Sequence, residues 1–205
     1  MTRVRVKICG LRRLDDLRAA VDAGADAVGL VFVPDSPRHV ETESAAHLVR
    51  AVPPFVERVG LFLDADAAWV RTVLQAVPLS LLQFHGREEV AFCRQFGLPY
   101  VKAISAGLTS IREAEAWYAD AAGILVDSHR PGGPGGTGRV VDWAKLRAGR
   151  LPLILAGGLT PDNVARAVRE VRPWAVDVSS GVESAPGVKD VDAIRRFIEE
   201  AKSGE

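Results

Sequence analysis

The sequence predicts a single-domain (β/α)8 barrel of the TIM type, spanning residues 1–205 as one unit. Three observations carry that prediction. Short β-rich runs alternate with Ala-, Leu- and charge-rich helical segments from end to end, the pattern of βα units around a parallel sheet. There are eight such units in 205 residues, roughly 25 residues each, which is compact but sufficient for a complete barrel. No low-complexity stretch or interdomain linker interrupts the series. An open, doubly wound sheet is the alternative, because strand periodicity does not say whether a sheet closes.

The strands are expected near 3–9, 26–32, 57–63, 79–84, 99–104, 122–127, 152–156 and 174–179. Each is a short β-rich run that includes Val, Ile or Leu. Helices are expected in the gaps, near 12–24, 42–51, 66–77, 87–97, 110–120, 142–147, 161–171 and 188–202. Parity within a strand separates its two faces. In the first strand Val4, Val6 and Ile8 suit packing under helices, so Arg5, Lys7 and Cys9 face the other way. In the fourth, Leu82 and Phe84 face helices, while Leu81, Gln83 and His85 face the interior and its mouth.

Composition narrows the function. With 26 Lys+Arg against 26 Asp+Glu the formal charge is zero, so there is no basic field to gather a phosphate backbone or an anionic membrane. Neither nucleic acid nor membrane is expected as a partner, and a small molecule is. No apolar run approaches the roughly 18 residues needed to span a bilayer, and the amino-terminal MTRVRVKICG is charged and alternating, unlike a signal peptide. A cytoplasmic location is expected. Cys9 and Cys93 lack a second cysteine or histidine at zinc-ligand spacing, so no metal site is expected. Amides are scarce, with Asn163 the single Asn, which fits either a thermophilic source or a coding bias.

Barrel active sites gather at the carboxyl ends of the strands, so polar residues there are read first. After strand seven, Gly157 and Gly158 lead to Thr160-Pro161, an expected N-cap followed by proline in the first helical turn. Together with Ser179, Ser180 and Gly181 after strand eight, this forms an expected phosphate site of free backbone N–H groups, or alternatively two tight connections. The loop 129–139, with five glycines including Gly136 and Gly138, reads as a lid or as a surface loop. Asp127 ends strand six and faces Cys9 across a closed barrel. A thiolate and a carboxylic acid so placed can move a proton between carbon and oxygen, whereas singly each could be a core filler or an ion-pair partner. Arg38 offers a planar fork to a substrate carboxylate. Lys7 faces inward and needs a counter-charge, for which Asp177 is the candidate; Lys7 would also lower the pKa of Cys9. His39, His47 and His129 read as solvated residues and Cys93 as core packing.

Taken in order, KICGL at 7–11, SPR at 36–38, QFHG at 83–86, LVDS at 125–128, GGTG at 135–138, LAGGL at 155–159, DVSSGVE at 177–183 and PGVKD at 186–190 resemble phosphoribosylanthranilate isomerase. The resemblance spans nearly the whole chain. It implies a barrel of tryptophan biosynthesis that needs no metal or cofactor, acting on a phosphoribosyl substrate as a monomer or homodimer. It further implies Cys9 as general base, Asp127 as general acid, Arg38 at the anthranilate carboxylate, the AGG and SSG turns as phosphate cradle and GGTG as the loop over the site. His85 matches a family position without an assigned step. Val141 departs from the pattern, which has an aromatic residue before the Asp-Trp. The related barrel isomerase of histidine biosynthesis, or a dual-substrate version, is the nearer rival, but those relatives use an aspartate where Cys9 stands. A phosphate-binding barrel without catalysis is the rival of another class, and it gives no reason for both an acid and a base.

Overall fold

A computed structural model describes residues 3–106, 109–127, 143, 146 and 149–204. The strands β1 (Arg5–Cys9), β2 (Ala27–Val31), β3 (Glu57–Phe62), β4 (Leu81–Phe84), β5 (Tyr100–Ser105), β6 (Gly123–Asp127), β7 (Leu153–Leu155) and β8 (Ala175–Val178) pair in parallel and in sequence order. β8 returns to β1, closing the ring and excluding the open sheet. The described helices are α1 (Leu14–Asp22), α2 (Thr42–Arg50), α3 (Ala67–Ala76), α4 (Val90–Arg94), α5 (Ile111–Trp117), α6 (Val164–Val171) and α7 (Val191–Ser203). The loop 129–139 with Gly136 and Gly138, together with His129, Val141 and most of the helix expected at 142–147, lies outside the described residues.

Side-chain parity builds two cores. Val6, Ile8, Leu30, Phe62, Leu82, Phe84, Val126 and Val176 pack outward under the helices. Inside the ring, Val101, Ala103, Leu125, Ile154, Ala156 and Ala175 form a separate apolar plug against Leu81. Phe32, Phe62 and Phe84 stack across β2–β4, with ring centroids 5.4 and 6.2 Å apart, so the outer face of that wall is stiffly packed. Cys93 is fully buried there, and burial pushes its thiol up to about 12, the behaviour of an inert core residue.

Three expected helices begin later than the sequence suggests, each because polar side chains hold the preceding residues in another shape. α4 starts at Val90 rather than near 87, since Glu88 spends its carboxylate on the N–H groups of Gly86 and Asp64. α6 starts at Val164, with Asn163 and not Thr160 as its N-cap. Asn163 accepts from Thr160 N (2.9 Å) and donates to Gly158 O (2.9 Å), keeping 160–163 as a separate turn. α7 starts at Val191, capped by Asp190, whose carboxylate accepts from the N–H groups of Asp192 and Ala193. Residues expected at its start instead form β10 (Val188–Lys189), antiparallel to β9 (Glu183–Ala185). His39, expected to be solvated, is half-buried and lies 3.6 Å from Glu41.

Candidate active site

The closed ring brings the ends of β1, β4, β6, β7 and β8 to one mouth. Cys9 ends β1 and is buried, opposite Gly29 of β2 in register. A Cβ at Gly29 would sit 2.8 Å from the Cys9 sulfur and 3.1 Å from Lys7 Cε, so only glycine leaves room for both. Below the thiol, Lys7 faces Asp177 across the β1–β8 seam at 2.8 Å, as the sequence predicts, with both side chains buried. Burial works against the Lys7 charge, but Asp177 and Cys9 together outweigh it and raise the lysine above its ordinary range. Burial also pushes the Cys9 thiol up. Lys7 and, more weakly, Lys189 pull the other way, so the expected effect of Lys7 is present but smaller than desolvation.

Lys189 is the residue that sequence reasoning passed over. It arrives from β10 fully buried, donating to Ser179 O at 2.9 Å and Glu183 at 2.8 Å. Glu183 also receives both Nε (2.8 Å) and Nη2 (2.7 Å) of Arg38, a fork-to-fork pair. These two cations hold the Glu183 carboxyl below the ordinary glutamate range despite burial that acts to raise it. Arg38 lies over Gly10, where φ is +78° and a Cβ would be 2.8 Å from Arg38 Cδ. The arginine expected to meet substrate is thus already aimed by a protein carboxylate. A lysine inside the short PGVKD segment was the available signal for this network.

Asp127 ends β6, half-buried, three strands from β1 by way of β7 and β8. His85 follows β4 and places Nε2 3.4 Å from Asp127 Oδ2. Gln83 Nε2 lies 3.1 Å from His85 Nδ1; with that amide nitrogen as donor, Nδ1 accepts and the ring proton sits on Nε2, toward Asp127. The structure therefore joins His85 to Asp127, which strand parity alone does not reveal. Ser105, buried on the inward face of β5 and opposite Asp127 in register, is a further polar neighbour.

Across the mouth the polar surface is backbone. Gly157 and Gly158 are consecutive left-handed residues (φ 81° and 69°), a turn other residues rarely make. Among the described residues their N–H groups meet no protein acceptor. Ser180 opens a 3-10 turn (Ser180–Val182) beside them, and a Cβ on Gly181 would overlap the Leu159 carbonyl oxygen, so the two turns touch backbone to backbone. Such a concavity of peptide dipoles suits an anion. The Ser179 hydroxyl ties it to the Cys9 carbonyl at 3.1 Å.

With this geometry in hand, similarity to known proteins is specific. Residues 6–200 match the family model for N-(5'-phosphoribosyl)anthranilate (PRA) isomerase. The chain is 59% identical over 203 residues to the N-(5'-phosphoribosyl)anthranilate isomerase of Thiobacillus denitrificans, covering 98% of each. It is 51% identical to that of Hahella chejuensis, covering 97% of this chain and 94% of the relative. Among solved structures it resembles the Thermotoga maritima phosphoribosyl anthranilate isomerase with a TM-score of 0.86 and 41% identity, over 97% of this chain and 98% of that one. A complex of phosphoribosyl anthranilate isomerase with reduced 1-(o-carboxyphenylamino)-1-deoxyribulose 5-phosphate aligns with a TM-score of 0.80 and 38% identity, over 97% and 98%. The chain belongs to the N-(5'-phosphoribosyl)anthranilate isomerase family.

Proposed function

We propose that Cys9 and Asp127 perform the proton transfers of the family's reaction, the isomerisation of N-(5-phosphoribosyl)anthranilate to 1-(2-carboxyphenylamino)-1-deoxyribulose 5-phosphate in tryptophan biosynthesis. The observation that carries the assignment is a buried thiol and a histidine-backed carboxyl at the same barrel mouth, on β1 and β6, with a backbone anion cradle between them at β7 and β8. Asp127 gives its proton to the furanose ring oxygen as the C1′–O bond breaks, and the nitrogen lone pair completes a Schiff base. Cys9, as thiolate, takes the C2′ proton to leave an enolamine. The enolamine becomes the ketone when C1′ gains a proton and the C2′ hydroxyl loses one, so the sum is an isomerisation. Nε2–H of His85 faces the carboxylate that Asp127 becomes and holds it in place.

The remaining site residues bind. Gly157, Gly158, Ser180 and Gly181 take the phosphate. Glu183 occupies the Nε side of the Arg38 fork, leaving its Nη1 end for the anthranilate carboxylate. Gly136 and Gly138 are assigned to a loop closing over the substrate. Residues 1–205 act as one catalytic domain, as monomer or homodimer. Among the described residues no helix is long and apolar enough to cross a membrane, and a soluble phosphorylated substrate fits work in the cytoplasm. The test is the decay of anthranilate fluorescence with freshly formed phosphoribosylanthranilate, run beside the histidine-pathway substrate. Rapid decay with the first alone supports the reading; binding of phosphate ligands without turnover overturns it.

A further inference from the structure

β5 carries a charge where a parallel strand of this barrel should be apolar. Val101 and Ala103 face the interior plug, so Lys102 points outward, behind β4. Its ammonium donates to the carbonyls of Gly86 (2.7 Å), Ala103 (3.1 Å) and Phe84 (3.2 Å), and stands 3.3 Å from Glu88 Oε2. Three N–H donors thus serve four acceptors. Glu88 accepts from Gly86 N (2.9 Å) and from Asp64 N (2.9 Å), and both charged side chains are at most 3% exposed. Asp64 in turn adopts φ 47°, accepts from Arg87 N at 2.5 Å, and fills the space a Cβ on Gly86 would need.

A buried ion pair is a poor way to stabilise a fold, since apolar filling of the same volume is often no worse. The partners indicate another purpose. Lys102 holds the carbonyls on both sides of His85, and Glu88 holds the N–H that follows it, so the backbone is fixed on each flank of the one residue there that reaches the mouth. If the charged groups merely anchored the neighbouring helix, their bonds would run to α4, Val90–Arg94; instead they run to 84, 86, 64 and 103, and only the Glu88 carbonyl turns to the helices, accepting from Cys93 Sγ (3.9 Å) and the Tyr118 hydroxyl (2.9 Å).

We infer that Lys102 and Glu88 are positioning residues that set the His85 ring against Asp127 from outside the barrel wall. The inference rests on the reading of Asp127 as the general acid. A misplacement of order 1 Å at such a contact is costly to rate and leaves phosphate binding untouched.

The decisive variant is the charge-neutral double substitution Lys102→Met with Glu88→Gln, which strands no buried charge. It should keep a wild-type circular dichroism spectrum, lower kcat by about tenfold with KM within about threefold, and move the ring 1H–15N resonances of His85. A core control remote from His85 in α7, Ile198→Val or, for a larger loss of melting temperature, Ile198→Ala, should keep kcat and the His85 resonances. Wild-type kcat and unmoved His85 resonances in the folded double variant overturn the inference, as does an equal kcat loss in the control. Should the double variant not fold, the milder Glu88→Gln, which leaves Lys102 on its three carbonyl acceptors, decides in a His85→Gln background: no additional loss of kcat supports the inference, and a full multiplicative loss overturns it. Failure of the underlying reading shows separately, as full turnover in Asp127→Asn, while the resonances still report on positioning.

Discussion

The two sides of the barrel mouth are built from different materials. Around Cys9, at β1, β8 and the β9–β10 hairpin, the site is made of charged side chains buried against one another: Lys7 with Asp177, and Glu183 with Arg38 and Lys189. At the β7 and β8 turns it is made of peptide groups, with Gly157, Gly158 and Gly181 excluding side chains altogether. The difference follows from the two tasks. A proton-transfer group has to be tuned, and burial, nearby charges and hydrogen bonds shift its equilibrium. An anion has to be held without regard to pH, and peptide N–H groups do not titrate.

Removing the chemistry should break the comparison most sharply. Cys9→Ser and Asp127→Asn are expected to lower kcat by about 10²- to 10⁴-fold, while calorimetry with the reduced product analogue gives affinity near that of the unsubstituted enzyme. In Asp127→Asn, where no carboxylic acid titrates against the thiol, the residual kcat/KM should increase with pH through neutrality as the thiolate fraction grows, because burial raises the thiol. A flat profile would remove Cys9 as the base.

The charged side can be tested without touching the reacting groups. Lys7→Met strands Asp177 and should cost about 3–5 kcal/mol in denaturant unfolding, with most of that recovered in Lys7→Met/Asp177→Asn. Iodoacetamide titration of Cys9 should also move to higher pH, since Lys7 pulls the thiol down. On the backbone side, Gly181→Ala forces a methyl into the Leu159 carbonyl. It should cost about 1–3 kcal/mol of stability and raise KM, yet leave the Cys9 titration unmoved. The smallest effect is acid sensitivity. The Glu183 carboxyl is lower in the folded state than its ordinary value of 4.5, so its contribution is present above that value and lost as pH falls through the lowered one. Glu183→Gln should flatten that part of the pH–stability curve.

Much of this was legible in the residues. Period-two parity placed Lys7, Cys9, Gln83 and His85 on the inner face, because successive Cβ atoms of a strand must alternate. The Lys7–Asp177 pair followed from ring closure alone, since β8 must then lie beside β1. Glu183 and Lys189 were less accessible: a two-residue strand has no periodicity to read, and β10 forms because its lysine is drawn inward to Glu183 and Ser179. Thr160 is a good N-cap by local preference, but the side-chain bridge from Asn163 to Gly158 spans a turn that local preference does not specify and moves the cap to Asn163.

By itself the sequence determined the eight βα units, the faces of their strands and the polar residues at the strand ends, all of which depend on local spacing and hydrophobic pattern. Tertiary structure alone decided which of those residues meet: that His85 backs Asp127, that Arg38 is held by Glu183, and that Lys102 and Glu88 grip the flanks of His85. The contacts of His85 with Asp127, of Arg38 with Glu183 and of Lys102 with the Phe84 and Gly86 carbonyls join residues 16 to 145 apart in the chain. Distances across a closed ring are set by the packing of all eight strands, and no local stretch of sequence encodes them.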